Sequence, residues 1–350
     1  MTFSAEQKPA ALGFRWPAEW ERHSATWLSW PRPEGISFPD AYERVMPVFV
    51  EMVRALASSE AVHINVWGEE QETYVRRLFK GDLPSRVKFF PFPAYEPWCR
   101  DHGPIFLTRE EGPRLCVLDW GYNAWGGKYP PFDLDDAIPT RIAERFQLPV
   151  LNPGIVLEGG SIDGNGEGTI LTTESCLLNP NRNPSLSRAQ IETYLKDYLG
   201  ARQILWLGEG IEGDDTDGHV DDITRFISRS TVLTMIEPNT NDPNHEPLQK
   251  NYENLKQMRL WDGTPLTVIP LPMPRRLDRE DLRLPASYAN FYIANEVVLL
   301  PVFQDKKADQ KAVEILEKAF PSRKILPIDC TELIWGLGAF HCLTQQEPAI

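Results

Sequence analysis

The sequence has no uninterrupted run of about 18 uncharged apolar residues, so no membrane-spanning helix is expected. Basic residues are outnumbered, 36 against 50 acidic, and the net charge of -14 argues against a protein that grips nucleic-acid phosphates. Cysteine is scarce. The five are widely spaced with no C-x-x-C pair, which points away from a disulfide framework or structural zinc and towards a reducing, cytoplasmic setting. The opening residues, Met1-Thr2-Phe3-Ser4-Ala5-Glu6-Gln7-Lys8, carry no hydrophobic segment, so no secretory signal is expected. The glycines Gly159, Gly160, Gly164, Gly166 and Gly168 lack the Lys-Ser/Thr that would make them a phosphate loop. The apolar fraction, 42%, is ample for a full core.

What is present is a repeating order of strand, strand, helix, strand. Between Glu158 and Leu178 two strands flank the turn Gly164-Asn165-Gly166-Glu167-Gly168. Ser187 and Gln190 then form a capping box. Ile191, Tyr194, Leu195, Tyr198 and Leu199 follow at helical spacing, and Gly200 stops the helix before the strand Gln203–Leu207. Similar units read from Asp101 through a helix carrying Leu134, Ile138, Ile142 and Phe146, from His219 to Ile269, and from Asn290 to Ile328. Near the N-terminus, Ala25–Trp30 precedes a helix with Val45, Phe49, Met52 and Leu56 and then the strand Val62–Val66. A last strand is expected near Phe340–Leu343, returning to pair with the first unit. This predicts one domain over residues 1–350, after a tail of about ten residues: a five-unit α/β ring of ββαβ repeats with approximate fivefold symmetry. Leading hairpins disfavour an ordinary doubly wound parallel sheet.

Asp101, Glu158, His219 with Asp221, Asn290 and Cys342 all fall near the beginning of a unit's first strand. In a ring those positions converge at one mouth. Each alone has a plain structural reading, such as a core histidine, a salt-bridged aspartate or a buried thiol, but an acid, an acid, a His-Asp pair, an amide and a thiol together form a catalytic set. His219-x-Asp221 has no second ligand cluster at metal spacing, so no metal is expected. A thiolate is a nucleophile that needs no metal, and a histidine shuttles protons near neutral pH. Paired carboxylates suit a planar cation, and a guanidinium offers matching N–H donors. The set therefore implies thiol attack on a guanidinium carbon, loss of ammonia and hydrolysis of a thiouronium adduct to a urea.

Six stretches carry a resemblance: Gly13-Phe14-Arg15-Trp16-Pro17-Ala18-Glu19-Trp20, Trp98-Cys99-Arg100-Asp101-His102-Gly103-Pro104, Leu157-Glu158-Gly159-Gly160-Ser161, Asp217-Gly218-His219-Val220-Asp221, Ser287-Tyr288-Ala289-Asn290-Phe291-Tyr292 and His341-Cys342-Leu343-Thr344-Gln345-Gln346. In order, they resemble the agmatine deiminase and bacterial peptidyl-arginine deiminase family of the guanidino-group-modifying superfamily. The resemblance implies a five-bladed α/β propeller, the pentein fold. It implies Cys342 as nucleophile, His219 as general acid/base, Asp101 and Asp221 as guanidinium-binding carboxylates, and Glu158 as the acid that binds substrate nitrogen and orients the histidine. Trp98 and Asn290 would contact substrate, and Cys99 would be structural. The chain departs from the family pattern at Gly336-Leu337-Gly338-Ala339-Phe340, where three glycines and an asparagine are usual. It departs again at His102, where threonine is common, and at Glu34–Phe38, where an Asn-Trp-Arg segment is expected.

The implied reaction converts agmatine to N-carbamoylputrescine and ammonia, with no cofactor, a small cationic partner, and neither nucleic acid nor membrane. Homo-oligomerisation is compatible with the sequence. Peptidyl- or free arginine, giving citrulline, is the alternative substrate. Free arginine would need a basic partner, for which Arg15 and Arg182 are candidates. An amidinotransferase and a non-catalytic binding propeller are the remaining readings.

Overall fold

In the computed structural model residues 7–350 are described; residues 1–6 of the expected tail, on which the expectation of no secretory signal rests, lie outside them. The rest of that tail is built in: Pro9–Leu12 forms a turn with Pro9 buried, and Lys8 Nζ donates to the Tyr198 hydroxyl at 3.0 Å.

The chain is a mixed α/β fold whose sheets repeat one pairing scheme. β1 (His23–Ser29) lies parallel to β2 (Ala61–Asn65), and β2 parallel to β3 (Val87–Phe90). β4 (Ile105–Thr108) pairs antiparallel with β5 (Leu115–Leu118), which is parallel to β6 (Val150–Leu151). β7 (Ile162–Gly164), β8 (Thr169–Thr173) and β9 (Gln203–Leu207) repeat the antiparallel-then-parallel order. So do β10 (Thr224–Ser228), β11 (Thr231–Ile236) and β12 (Thr267–Pro272). After a small hairpin, β13 (Asp278–Arg279) with β14 (Leu282–Arg283), the order returns in β15 (Tyr292–Ile293), β16 (Val297–Val302) and β17 (Lys324–Asp329). β18 (Thr344–Pro348) pairs antiparallel with β1, as the return strand was expected to do.

Each parallel pair needs a crossover, and helices supply it. Tyr42–Leu56 crosses in the first sheet, with Val45, Phe49, Met52 and Leu56 buried. Arg188–Leu199 starts on the expected capping box of Ser187 and Gln190 and ends at Gly200, whose positive φ lets the chain turn out of the helix. His245–Gln257 and Lys306–Ala319 complete the pattern. Among the described residues no helix is long and apolar enough to cross a membrane.

Three expectations change. Phe340–Leu343 is a helical turn, and the strand begins at Thr344; a short apolar run cannot be assigned to strand or helix by periodicity alone. The functional residues do not open the first strands but sit on tight turns just before them. Phe146 is 39% exposed, and meets Trp27 edge-on and Phe90 at a tilt rather than sealing the core. The sequence reading also omitted the helix Glu69–Leu78, β3 and the β13–β14 hairpin.

Candidate active site

Five turns deliver the site. Asp101 is in the helical turn Cys99–His102 before β4. Glu158 precedes the turn Gly159–Ser161 before β7, and His219 precedes Val220–Asp222, which carries Asp221, before β10. Asn290 precedes β15, and Cys342 lies in Phe340–Leu343 before β18. All are buried. The turns meet so closely that a Cβ at Gly160 would stand 2.6 Å from His219 Nδ1, 2.7 Å from an Asp101 oxygen and 3.0 Å from an Asp221 oxygen. Only glycine fits there.

The nucleophile candidate is tethered on two sides. The Asn290 amide donates to Cys342 Sγ at 3.0 Å and to Asp222 at 2.9 Å, and its oxygen accepts the backbone N–H of His341 and of Cys342. Cys342 Sγ lies 3.6 Å from Asp221 Oδ2. His219 Nδ1 is 3.6 Å from Asp101 Oδ1. Asp101 also accepts the Trp125 indole N–H at 2.9 Å and the Gly160 N–H at 3.0 Å. Every sequence-derived site residue is thus brought to one place. Asn290, however, has both its donors and its acceptor engaged by the protein rather than presented to a substrate.

Asp101, Cys342 and Trp98 line a cavity of about 260 Å³ together with Trp125, Tyr129, Asp215, Leu337 and Gly338. Trp98 is held by its indole N–H, which donates to Ser37 Oγ at 2.8 Å. Both departing segments form this wall. Ile36 and Ser37 hang by their backbone N–H groups from Glu96, and a Cβ at Gly338 would meet the Trp98 ring at 2.6 Å. Leu337, at φ 69°, holds a left-handed conformation that glycine would adopt at less cost. His102 points elsewhere, its Nε2 lying 3.2 Å from the Glu96 carbonyl oxygen. A larger hollow, about 730 Å³, opens near Arg32 and Trp67 but contains none of the reactive residues.

Charge in the site is set by burial and crowding. Burial, reinforced by Asp221, pushes the Asp101 carboxyl up to about 6, even though His219 acts the other way. Burial alone would raise Asp221 too, but the bond from His341 and the charge of that ring hold it below the usual carboxylate range. Cys342 is pushed well above an ordinary thiol by burial, then by Asp221, Asp222 and Asp101. His219 is raised well above an ordinary imidazole: burial opposes this, but Asp101 and further neighbours outweigh it. These protein surroundings favour the thiol at Cys342 and the imidazolium at His219. Cys99, by contrast, is buried away from the cavity lining, with its thiol pushed up to about 12 by burial.

Glu19 and His341 escaped the sequence reading, and so did the part that Arg182 plays. His341 sits between Asp221, at 2.6 Å from Nδ1, and Glu19, at 2.8 Å from Nε2. Glu19 also pairs with Arg100 and Arg225, forming a charged floor beneath the site. Arg182 donates to Glu158 at 2.6 Å and pairs with Asp217. Glu19 and His341 lie inside two of the six family-like stretches, which was the one available signal. Arg182 is consumed by its acids, and Arg15 pairs with Glu21 near the surface, so neither faces the cavity to receive a substrate carboxylate. Two groups have ligand-type atoms within 4.8 Å of one another: Glu158, Cys176 and His219, and Asp221, Asp222 and Cys342. The first has the Arg182 guanidinium against it, which repels a dication.

Comparison with known proteins agrees with this geometry. Residues 15–348 match the model of the Porphyromonas-type peptidyl-arginine deiminase family. The chain is 36% identical to the agmatine deiminase of Medicago truncatula, with 99% of each covered. Among solved structures, the agmatine deiminase of Enterococcus faecalis superposes with a TM-score of 0.91 at 33% identity, covering 99% of both chains. A substrate-bound cysteine-to-serine variant of the agmatine deiminase of C. jejuni gives 0.87 at 34%, covering 95% of this chain and 96% of that one. An amidinotransferase from Microseira wollei, 13% identical with a TM-score of 0.52 and coverages of 94% and 95%, shares the fold alone.

Proposed function

The chain belongs to the Porphyromonas-type peptidyl-arginine deiminase family, and on that premise we propose that it hydrolyses the guanidino group of agmatine to N-carbamoylputrescine and ammonia. The observation that carries this reading is the placement of the Cys342 thiol beside Asp221, at a cavity that Asp101 also lines. A guanidinium entering there donates N–H groups to the two carboxylates, which fixes its plane and presents its central carbon to sulfur. Its positive charge also offsets the acids that hold Cys342 protonated, so substrate arrival releases the thiol proton to solvent and leaves the thiolate. Sulfur adds to the carbon, and His219 gives a proton to the departing ammonia. The resulting thiouronium is attacked by water, which His219 deprotonates. The C–S bond then breaks, returning the thiol and releasing the ureido product. In this scheme Glu158, fixed by Arg182, orients His219, Trp98 walls the substrate, and Asn290 holds the nucleophile rather than the substrate.

Asp215, which accepts from the Tyr129 hydroxyl at 2.5 Å, and Glu280 line the same cavity and suit the distal ammonium of agmatine. Arg279 also lines it, stacked over Trp335 at 4.4 Å, and gives the second reading, an arginine substrate bearing a carboxylate or carbonyl. The five sheets of like pairing support a single domain arranged as a five-bladed α/β propeller. The free cysteines are in keeping with a cytoplasmic setting, and the net charge of -14 with a small cationic substrate rather than nucleic acid; the scheme itself calls on no cofactor, and self-association is compatible with it. The test is ammonia release and ureido-product detection with agmatine, arginine and a blocked arginine peptide in parallel. Release from agmatine at a far higher kcat/KM supports the reading, and preference for either arginine substrate replaces it.

A further inference from the structure

His219 must change its protonation state twice per turnover, yet among the described residues neither ring nitrogen makes a hydrogen bond of ordinary geometry. The second oxygen of Glu158 is likewise buried without a partner. A third group closes this pair: Cys176, wholly buried, places its sulfur within 4.8 Å of ligand-type atoms of both Glu158 and His219. It does not line the cavity and has no place in the chemistry above.

Its position is built. Cys176 lies in the helical turn Glu174–Leu177, which Thr173 caps through the Cys176 N–H. The Thr173 hydroxyl accepts the Cys176 N–H at 3.3 Å and donates to the carbonyl of Gly218, the residue before His219, at 2.6 Å. Gly218 has φ +95°, and a Cβ there would strike Ser175 Oγ at 2.4 Å, so the turn and the histidine loop fit only without a side chain. Thr216 and Asp214 hold the His219 backbone N–H, each at 3.1 Å. One threonine thus ties the sulfur-bearing turn to the imidazole-bearing loop.

We propose that Cys176 is a positioning residue for His219, a two-way partner whose thiol donates weakly to the neutral imidazole and accepts weakly from the imidazolium. A carboxylate such as Glu158 can only accept and would favour one state. A thiol serves both, and the bond from the charged imidazolium is the stronger of the two, so Cys176 leans the ring towards its protonated state while remaining weak enough not to block the change. This rests on the reading of His219 as the general acid/base. The charged groups acting on the ring are Asp101, Glu158, Asp215, Asp221 and Asp222, with Arg182 acting on the thiol, and Cys176 adds to the upward pull on the imidazole.

The test compares Cys176→Ala and Cys176→Ser with the unmutated enzyme. Alanine removes the partner and should lower kcat about fivefold to tenfold with KM within about twofold; serine, also donor and acceptor, should restore most of it. The alkaline limb of the kcat profile, where His219 loses its proton, should move to lower pH in the alanine variant. Nuclear magnetic resonance titration of the ring, identified among six histidines by its loss in His219→Asn, should show the same downward shift without relying on turnover. An alanine variant with unchanged kcat and an unshifted His219 titration overturns the proposal. Equal losses in alanine and serine variants with no shift reduce Cys176 to packing and overturn it as well. Absence of turnover by the unmutated chain on every guanidino substrate overturns the functional reading instead, and the titration then still decides whether Cys176 tunes the ring.

Discussion

Nδ1 of His341 lies 2.6 Å from Oδ2 of Asp221. That contact makes Asp221 and Asp101, the two aspartates proposed to bind the guanidinium, unequal. Asp221 is paired beneath the site and kept ionised, while Asp101 has only neutral N–H donors at hydrogen-bond distance and is pushed up to about 6.

Replacing either by asparagine should lower kcat/KM about 30-fold or more, because losing one desolvated charged partner costs roughly 2–5 kcal/mol and each 1.4 kcal/mol is about tenfold. Stability separates them. Asp221→Asn breaks a buried contact with His341 and should cost about 1–3 kcal/mol. In Asp101→Asn one acceptor is lost but a crowded buried charge goes with it, so unfolding free energy should stay within about 1 kcal/mol. Melting curves and kinetics on the same preparations check both. An Asp101→Asn protein that is destabilised yet catalytically normal would remove Asp101 from the site.

The raised carboxyl has a pH signature. Between the ordinary aspartate value, 3.8, and about 6, the folded state holds a proton at Asp101 that the unfolded chain has lost. Its contribution to stability therefore falls as pH rises through that window. Catalysis runs the other way: kcat/KM for a cationic substrate should fall as pH drops through about 6, when this carboxylate loses its charge. Paired pH profiles of stability and kcat/KM measure the opposition.

Cys342→Ser should abolish turnover and leave the melting temperature near that of the unmutated chain. Alkylation should reach Cys342, 5% exposed at the cavity, before Cys99, Cys116, Cys176 and Cys330, all 0% exposed. Because burial and three aspartates hold the thiol protonated, a cationic amidine reagent should label it faster than neutral iodoacetamide. Peptide mapping identifies the labelled residue.

Arg182→Met should leave Glu158 as an unpaired buried carboxylate, with a loss of about 3–5 kcal/mol. Denaturant unfolding reads this directly. If the loss is below about 1 kcal/mol, the Arg182–Glu158 pair does not hold the fold.

Activity should survive exhaustive chelation, since the proposed nucleophile is a thiol and the Glu158–Cys176–His219 group lies against the Arg182 guanidinium. Loss of turnover restored by zinc would refute this.

The sequence by itself determined the repeat and the reactive set. Turn chemistry at Gly164–Gly168, the capping box of Ser187 and Gln190 and the stop at Gly200 are local signals, and local signals survive in one dimension. Residue types, together with their recurring place in the units, pointed to guanidinium chemistry at Cys342, His219, Asp101 and Asp221. Only the tertiary structure decided that these residues stand on tight turns before the strands, because three- and four-residue turns carry no period. It alone paired His341 with Asp221 across 120 residues and Arg182 with Glu158, and it brought Cys176 to His219. His341 and Cys176 reach Asp221 and His219 from other units, and Arg182 reaches Glu158 from an aperiodic loop of its own unit, so no periodic spacing records which groups meet when five turns converge.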